Sequence, residues 1–220
     1  MGGHPELQDF QSVMNNAVPW DRTNQVYHLE TIDVDGLHAV YTRFYDGSPY
    51  VDYDPNKLGP WTDVSFHLRG DMEDVSFGAS SRNGLIQPWA HGSSPATYLA
   101  DNQALSGSAS WSGRLLGFTS QSESLAGATN LNINLATLRG KIDFTGLEHW
   151  GVNATPGPVG SGQTWNDGDL GYSVIVRGNT FNQTGGDAGE VTGAFFGPNH
   201  EGMGGVVERS DMSAGFGGTR

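Results

Sequence analysis

In the stretch "NLNINLATL" (130–138), Leu131, Ile133 and Leu135 alternate with Asn130, Asn132 and Asn134. A period of two is the repeat of a β-strand, whose successive side chains point to opposite faces. The same alternation runs through most of the second half of the chain. In "ALSGSASWSGRLLGF", Ala109 and Trp111 oppose Ser108, Ser110 and Ser112. "LRGKIDFTGL" sets Leu138, Ile142 and Phe144 against Lys141, Asp143 and Thr145. In "DLGYSVIVRGNTFNQT" the residues Leu170, Tyr172, Val174 and Val176 share a face, and a turn falls near Gly178–Asn179. "EVTGAFFGP", "GGVVER" and "MSAGFGGTR" complete the series, which amounts to about eight strands joined mostly by short turns. Short connections favour an antiparallel, up-and-down order. Closing that order into a barrel removes the exposed edges. Glycine agrees with this reading. It supplies 33 of 220 residues, about twice the usual ~7%, and it is scattered without a period.

The first half reads less cleanly. Leu7, Phe10, Val13 and Met14 have helical spacing, which predicts one short helix within 5–18. "GLHAVYTRFY" (36–45) alternates as a strand, with Leu37, Ala39 and Tyr41 on one face. "WTDVSFHLRG" (61–70) places Val64, Phe66 and Leu68 together, and "MEDVSFGAS" follows as the second arm of a hairpin. Residues 50–60 read as a loop and 82–103 as irregular. The insertion "EHWGVNATPGPVGSGQTWNDGD" (148–169) is too polar and too rich in glycine and proline for a strand. The expected fold is all-β: a small N-terminal domain with one short helix over 1–103, then an eight-stranded antiparallel up-and-down barrel over 104–220.

Composition narrows function. The net charge is −13, which disfavours nucleic acid and an anionic membrane surface, because both demand a cationic face. It suits a cationic partner surface. There is no cysteine. Disulfides, thiol catalysis and cysteine-bound metals are therefore excluded within this sequence, as is a lipid-bearing cysteine. No apolar run approaches the ~18 residues of a membrane span. The first twenty residues lack the basic start and apolar centre of a signal peptide.

Several motifs fail on their own chemistry. "GPVGSGQT" (157–164) has phosphate-loop glycines, but Gln163 replaces the lysine that would reach the phosphates. "DYDPNK" (52–57) resembles the start of a calcium loop, yet Lys57 stands where the sharp turn needs glycine, and Pro55 intrudes. No Gly-x-Ser-x-Gly elbow is present. His200–Glu201 lies in "GAFFGPNHEGMGG" and lacks the second histidine of a zinc-protease helix. Gly197 and Pro198 open a tight turn there, with Glu201 placed to accept hydrogen bonds from turn amides. Nothing singles out a catalytic pair, and the expectation is a non-enzyme.

The strands "SGSASWSGRLLGF" and "VIVRGNTF", the hairpin "GAFFGPNHEGMGG" and the terminal "AGFGGTR" together resemble the barrel domain of a known family. It is the transferrin-binding-protein-B-like family of Gram-negative surface lipoproteins and their secreted relatives. The resemblance covers residues 104–220. By position alone, the first hundred residues would correspond to the family's smaller handle domain. The resemblance implies a ligand-binding protein at the surface of a Gram-negative bacterium or secreted from it. It implies one of two roles. The first, and favoured, role is a haemophore-like carrier in iron acquisition. It would hold haem between handle loops and barrel and pass it to an outer-membrane receptor. The alternative is a surface module that captures a host or partner protein.

For haem, the residues to hold it are a loop imidazole flanked by flat apolar side chains. His91 lies beside Trp89 and before Tyr98, and His38 is a further candidate. For a partner protein, exposed aromatic anchors in loops are needed, and Trp150, Trp165 and Tyr50 meet that description. A small barrel is filled by its own side chains, so either function is expected in loops at the barrel mouth or at the junction of the two halves.

Overall fold

A computed structural model describes residues 25–34, 37–46, 63–72, 74–82, 85–92, 96, 105–152, 160–165 and 168–220. The expected helix within 5–18, the loop at 50–60, Tyr50 and Tyr98 lie outside the described residues. Fourteen strands are described. The first five are β1 (Gln25–Val34), β2 (Leu37–Asp46), β3 (Asp63–Met72), β4 (Val75–Arg82) and β5 (Leu85–Gly92). They form an antiparallel meander in chain order. The predicted hairpin is β3–β4, closed at Met72 and Val75.

The remaining strands are β6 (Ser108–Thr119), β7 (Glu123–Asn134), β8 (Arg139–Val152), β9 (Gln163–Thr164), β10 (Leu170–Arg177), β11 (Thr180–Gly186), β12 (Glu190–Phe196), β13 (Gly202–Glu208) and β14 (Met212–Thr219). Each long strand pairs antiparallel with the next. Two pairings close the ring: β14 with β6, and β10 with β8. Eight strands thus form a closed up-and-down barrel, as the alternation predicts. Inward positions such as Leu131, Ile142, Phe144, Tyr172 and Phe181 are fully buried. Outward positions such as Asn132, Asn134 and Lys141 are exposed. That is apolar inside and polar outside, the reverse of a barrel facing lipid. Among the described residues no helix is long and apolar enough to cross a membrane.

The lumen is packed by an unbroken run of rings. Trp111 lies 4.7 Å from Phe195, Phe195 lies 5.4 Å from Phe181, and Phe181 lies 6.2 Å from Phe216, centroid to centroid. Phe216 then meets Phe144 at 5.2 Å, and Phe144 meets Tyr172 at 6.0 Å. These are tilted and edge-on geometries that aromatic pairs favour. Tyr172 ends the run at one rim, where its buried hydroxyl donates to Ala188 O at 2.9 Å. Burial raises the Tyr172 pKa above the usual phenolic value. Tyr172→Phe removes that hydrogen bond and should lower stability by about 1 kcal/mol in urea unfolding. A loss near zero would place the hydroxyl in water.

The five-stranded sheet packs on the outside of the barrel. Val75, Phe77 and Ala79 of β4 bury themselves against Leu116 and Phe118 of β6. The barrel meets them with glycine. Gly217 lies under the Phe77 ring, and a Cβ on Gly215 would collide with the Gly78 backbone. The two backbones touch because neither residue carries a side chain there.

Three local expectations are corrected. Leu85–Gly92, read as irregular, is strand β5. Its Pro88 is tolerated because β5 is an edge strand in the sheet order, where a missing N–H breaks no central ladder. The start of 148–169, read as an insertion, is strand: β8 runs on to Val152, and β9 returns to pair with Glu148 and His149. Leu135 and Leu138, read as strand positions, form the turn after β7, with Leu138 at a φ of 52°.

Candidate functional site

Two regions combine exposed or mouth-lining apolar surface with polar groups. The first is the outer face of β5. Ile86 and Ala90 pack toward the barrel, so the alternate residues Leu85, Gln87, Trp89 and His91 face away from it. Leu85 is 63% exposed, the exposed large apolar side chain among the described residues. The Trp89 and His91 rings are stacked, 5.6 Å apart and inclined by 29°. Small residues stand opposite them across the sheet: Gly78 pairs with Trp89, and Ser76 with His91.

Register links β5 to β2. His38 pairs with Asp71, Asp71 with Ser76, and Ser76 with His91. His38 and His91 therefore stand in one transverse row of the register, three strands apart. Of the four haem candidates, Trp89 and His91 are in ring contact, and His38 stands in the register row of His91, three strands away.

The partner-binding candidates fare differently. Trp150 is half-buried on β8. The returning loop closes beside it, held by Gly160 N donating to Glu148 Oε1 at 2.8 Å and Gly162 N to Oε2 at 3.2 Å. Trp165 is not an exposed anchor: it is 6% exposed and belongs to the barrel core. Its backbone N–H donates to Leu147 O at 2.9 Å. The Arg209 guanidinium lies 5.1 Å above its ring. Arg209 is fixed in turn by a forked pair of bonds to Asp211, 2.8 and 2.9 Å long, which raises its pKa further. Trp165 lies in the segment that β9 carries back over the barrel rim, and so it caps the lumen. Nearby, His149 Nδ1 lies 2.8 Å from Glu123 Oε2, an ion pair when the ring is protonated.

The second region is the opposite mouth, reached by the turns after β7, β10 and β12 and by Arg220. His200 and Glu201 are in the β12–β13 turn, as the glycine spacing predicts. His200 N donates to Gly197 O at 3.2 Å, and His200 has a φ of 63°. Glu201 accepts from Asn199 N at 2.8 Å and from Asn199 Nδ2 at 2.7 Å. Those bonds hold its pKa below the usual carboxylate value. The backbone of the turn also serves the core, because Trp111 Nε1 donates to His200 O at 2.7 Å. A cavity of about 180 Å³ opens beside Trp111 and Phe195. His200 Nε2 is buried and has no hydrogen-bond partner. Sequence reasoning placed the turn but missed the cavity, because nothing in "PNHEG" tells which way the imidazole swings.

Among the described residues no three histidine, aspartate or glutamate side chains gather as metal ligands. No family model matches the chain, and no curated protein matches it. Solved structures do align with it. The chain is similar to transferrin-binding protein B. The one from serogroup B Neisseria meningitidis aligns over 91% of this chain and 36% of its own, with 16% identity and a TM-score of 0.45. A point variant from Haemophilus parasuis Hp5 aligns over 88% of this chain and 37% of its own, with 13% identity and a TM-score of 0.43. A surface lipoprotein aligns over 67% of this chain and 76% of its own, with 14% identity and a TM-score of 0.40. The chain spans little more than a third of the length of the first two.

Proposed function

We propose that this chain is a non-enzymatic binding module that captures a partner protein on the outer face of its five-stranded sheet. The carrying observation is the continuous aromatic run through the lumen. A barrel plugged in this way has no inner chamber large enough for a protein or a porphyrin, so a partner of that size must bind the exterior. There Leu85, Trp89 and His91 of β5 offer apolar and aromatic contact. Such anchors dominate the energy of protein interfaces. The acidic balance of the chain suits a partner with a cationic surface. The surface of a Gram-negative bacterium, or the medium around it, is the location this reading implies.

The names of the similar structures supply the first partner to try. Purified transferrin passed over the immobilised chain should bind saturably. Leu85→Asp and Trp89→Ala should each weaken that binding at least tenfold, as expected for central anchors. Binding that ignores both substitutions would discard this face as the site, and no binding by transferrin would discard that partner.

A haem carrier is the second reading, favoured by the stacked Trp89–His91 pair. A single imidazole beside a flat ring can ligate iron on one side while the porphyrin lies on apolar surface. Haemin added to the chain should then give a sharp Soret band that saturates at one equivalent and fades in His91→Ala. A broad, unsaturable spectrum would discard the carrier.

A further inference from the structure

The cavity at the β7–β8 mouth is a built pocket of defined size. Its walls are Trp111, Ile133, Leu138, Val176 and Phe195, and its rim carries His200 and Arg220. The volume of about 180 Å³ matches one aromatic ring with a short substituent; an apolar cavity of ~150 Å³ takes benzene. Two polar features set what else the occupant must offer. His200 Nε2 is buried without a partner, and a buried polar atom in that state calls for a group to bond with. Arg220 brings a permanent cation and lies 5.9 Å from the Trp111 ring centroid. Its backbone N–H donates to Glu201 O at 2.9 Å, which places it alongside the turn that holds His200. Glu201, next to His200 in sequence, is bonded to Asn199 and is not part of the cavity wall.

We propose that this pocket binds a small monocyclic carboxylate. The ring sits between Trp111 and Phe195 on one side and Ile133, Leu138 and Val176 on the other. The carboxylate meets the Arg220 guanidinium and accepts a hydrogen bond from His200 in its Nε2–H tautomer. Charge-assisted bonds of that kind are the stronger ones and give the head group its preference. This site is at the barrel mouth and independent of the sheet face, so its fate does not decide the partner-binding proposal.

The test is a titration of the isotope-labelled full chain with sodium phenylacetate, followed by amide and indole resonances. Saturable shifts are expected at the Trp111 indole and at Ala109, Ile133, Val176 and His200. A ligand of ten heavy atoms should show a dissociation constant of about 0.1–1 mM. Phenylacetamide, equal in shape and neutral, should bind about tenfold more weakly, a usual margin for one lost charge-assisted bond. Arg220→Gln changes an exposed residue and should abolish that margin without altering the fold. Val176→Phe fills the cavity and should remove the shifts. Equal binding of the acid and the amide, or shifts that survive Val176→Phe, would overturn the proposal. So would the absence of any saturable shift in the millimolar range.

Discussion

Gly215→Val should lift the five-stranded sheet from the barrel while leaving the barrel closed. Gly215 is on β14, between Val206 and Leu116 in register, and faces the sheet. A Cβ there would fall on the backbone of Gly78 and on the carbonyl oxygen of Trp89. Backbone cannot rotate aside as a flexible side chain can. The sheet must therefore retreat, and the contacts of Val75, Phe77 and Ala79 with Leu116 and Phe118 open with it. Overpacking in a tight interface costs about 1–3 kcal/mol. The backbone collision puts this case at or beyond the upper end. Hydrogen exchange separates the two halves: amides of β3, β4 and β5 should lose protection, while those of β7, β8 and β10 keep theirs. Uniform loss across both would mean that barrel and sheet unfold as one unit. No loss at all would mean that β4 does not lie on β14.

The same interface explains which parts of the fold were legible. Where a strand has water on one side and the lumen on the other, the sequence alternates and can be read directly. Leu131 and Ile133 against the intervening asparagines are such a case, and Tyr172, Val174 and Val176 are another. Where both faces are covered, the alternation vanishes. Leu115 and Leu116 are adjacent and both buried, one in the lumen and one under the sheet. Strand β5 failed for a related reason. Ile86 and Ala90 face the barrel, but the outward face mixes Leu85 and Trp89 with Gln87 and His91, so no clean alternation marks it, and Pro88 argues against a strand locally. Strand β1 went unread. Its partner is known only from register with β2, a tertiary fact. Trp165 shows the limit for sites. It lies in a glycine-rich polar stretch that signals exposure, and only the return of β9 onto β8 buries it. The hairpin around His200 was legible because glycine and proline fix turns through their own backbone geometry. The orphaned nitrogen of that histidine was not, because it depends on where the lumen ends.

Phe216→Ala should be the most damaging single truncation in the barrel. Phe216 is 0% exposed and occupies the centre of the aromatic run, between Phe181 and Phe144. The neighbouring strand is shaped for it: a Cβ on Gly205, its register partner on β13, would meet the far end of the Phe216 ring at 2.6 Å. Removing the ring leaves a void bordered by Gly205 and by two other rings, none of which can spread to fill it. Core Phe→Ala substitutions cost about 3–5 kcal/mol, the higher values where the site cannot collapse. The expected result in urea unfolding is a loss in that range, with the midpoint shifted and the slope unchanged. Phe216→Leu keeps most of the volume and should lose much less. A second substitution tests whether the glycine and the ring are one device. Gly205→Ala in the native background should destabilise, because the new methyl meets the Phe216 ring and the Thr192 carbonyl. In the Phe216→Ala background the clash with the ring is gone, and the same change should cost less. Equal costs in both backgrounds would show that Gly205 is small on account of the strand backbone alone and that the lumen was not built around Phe216.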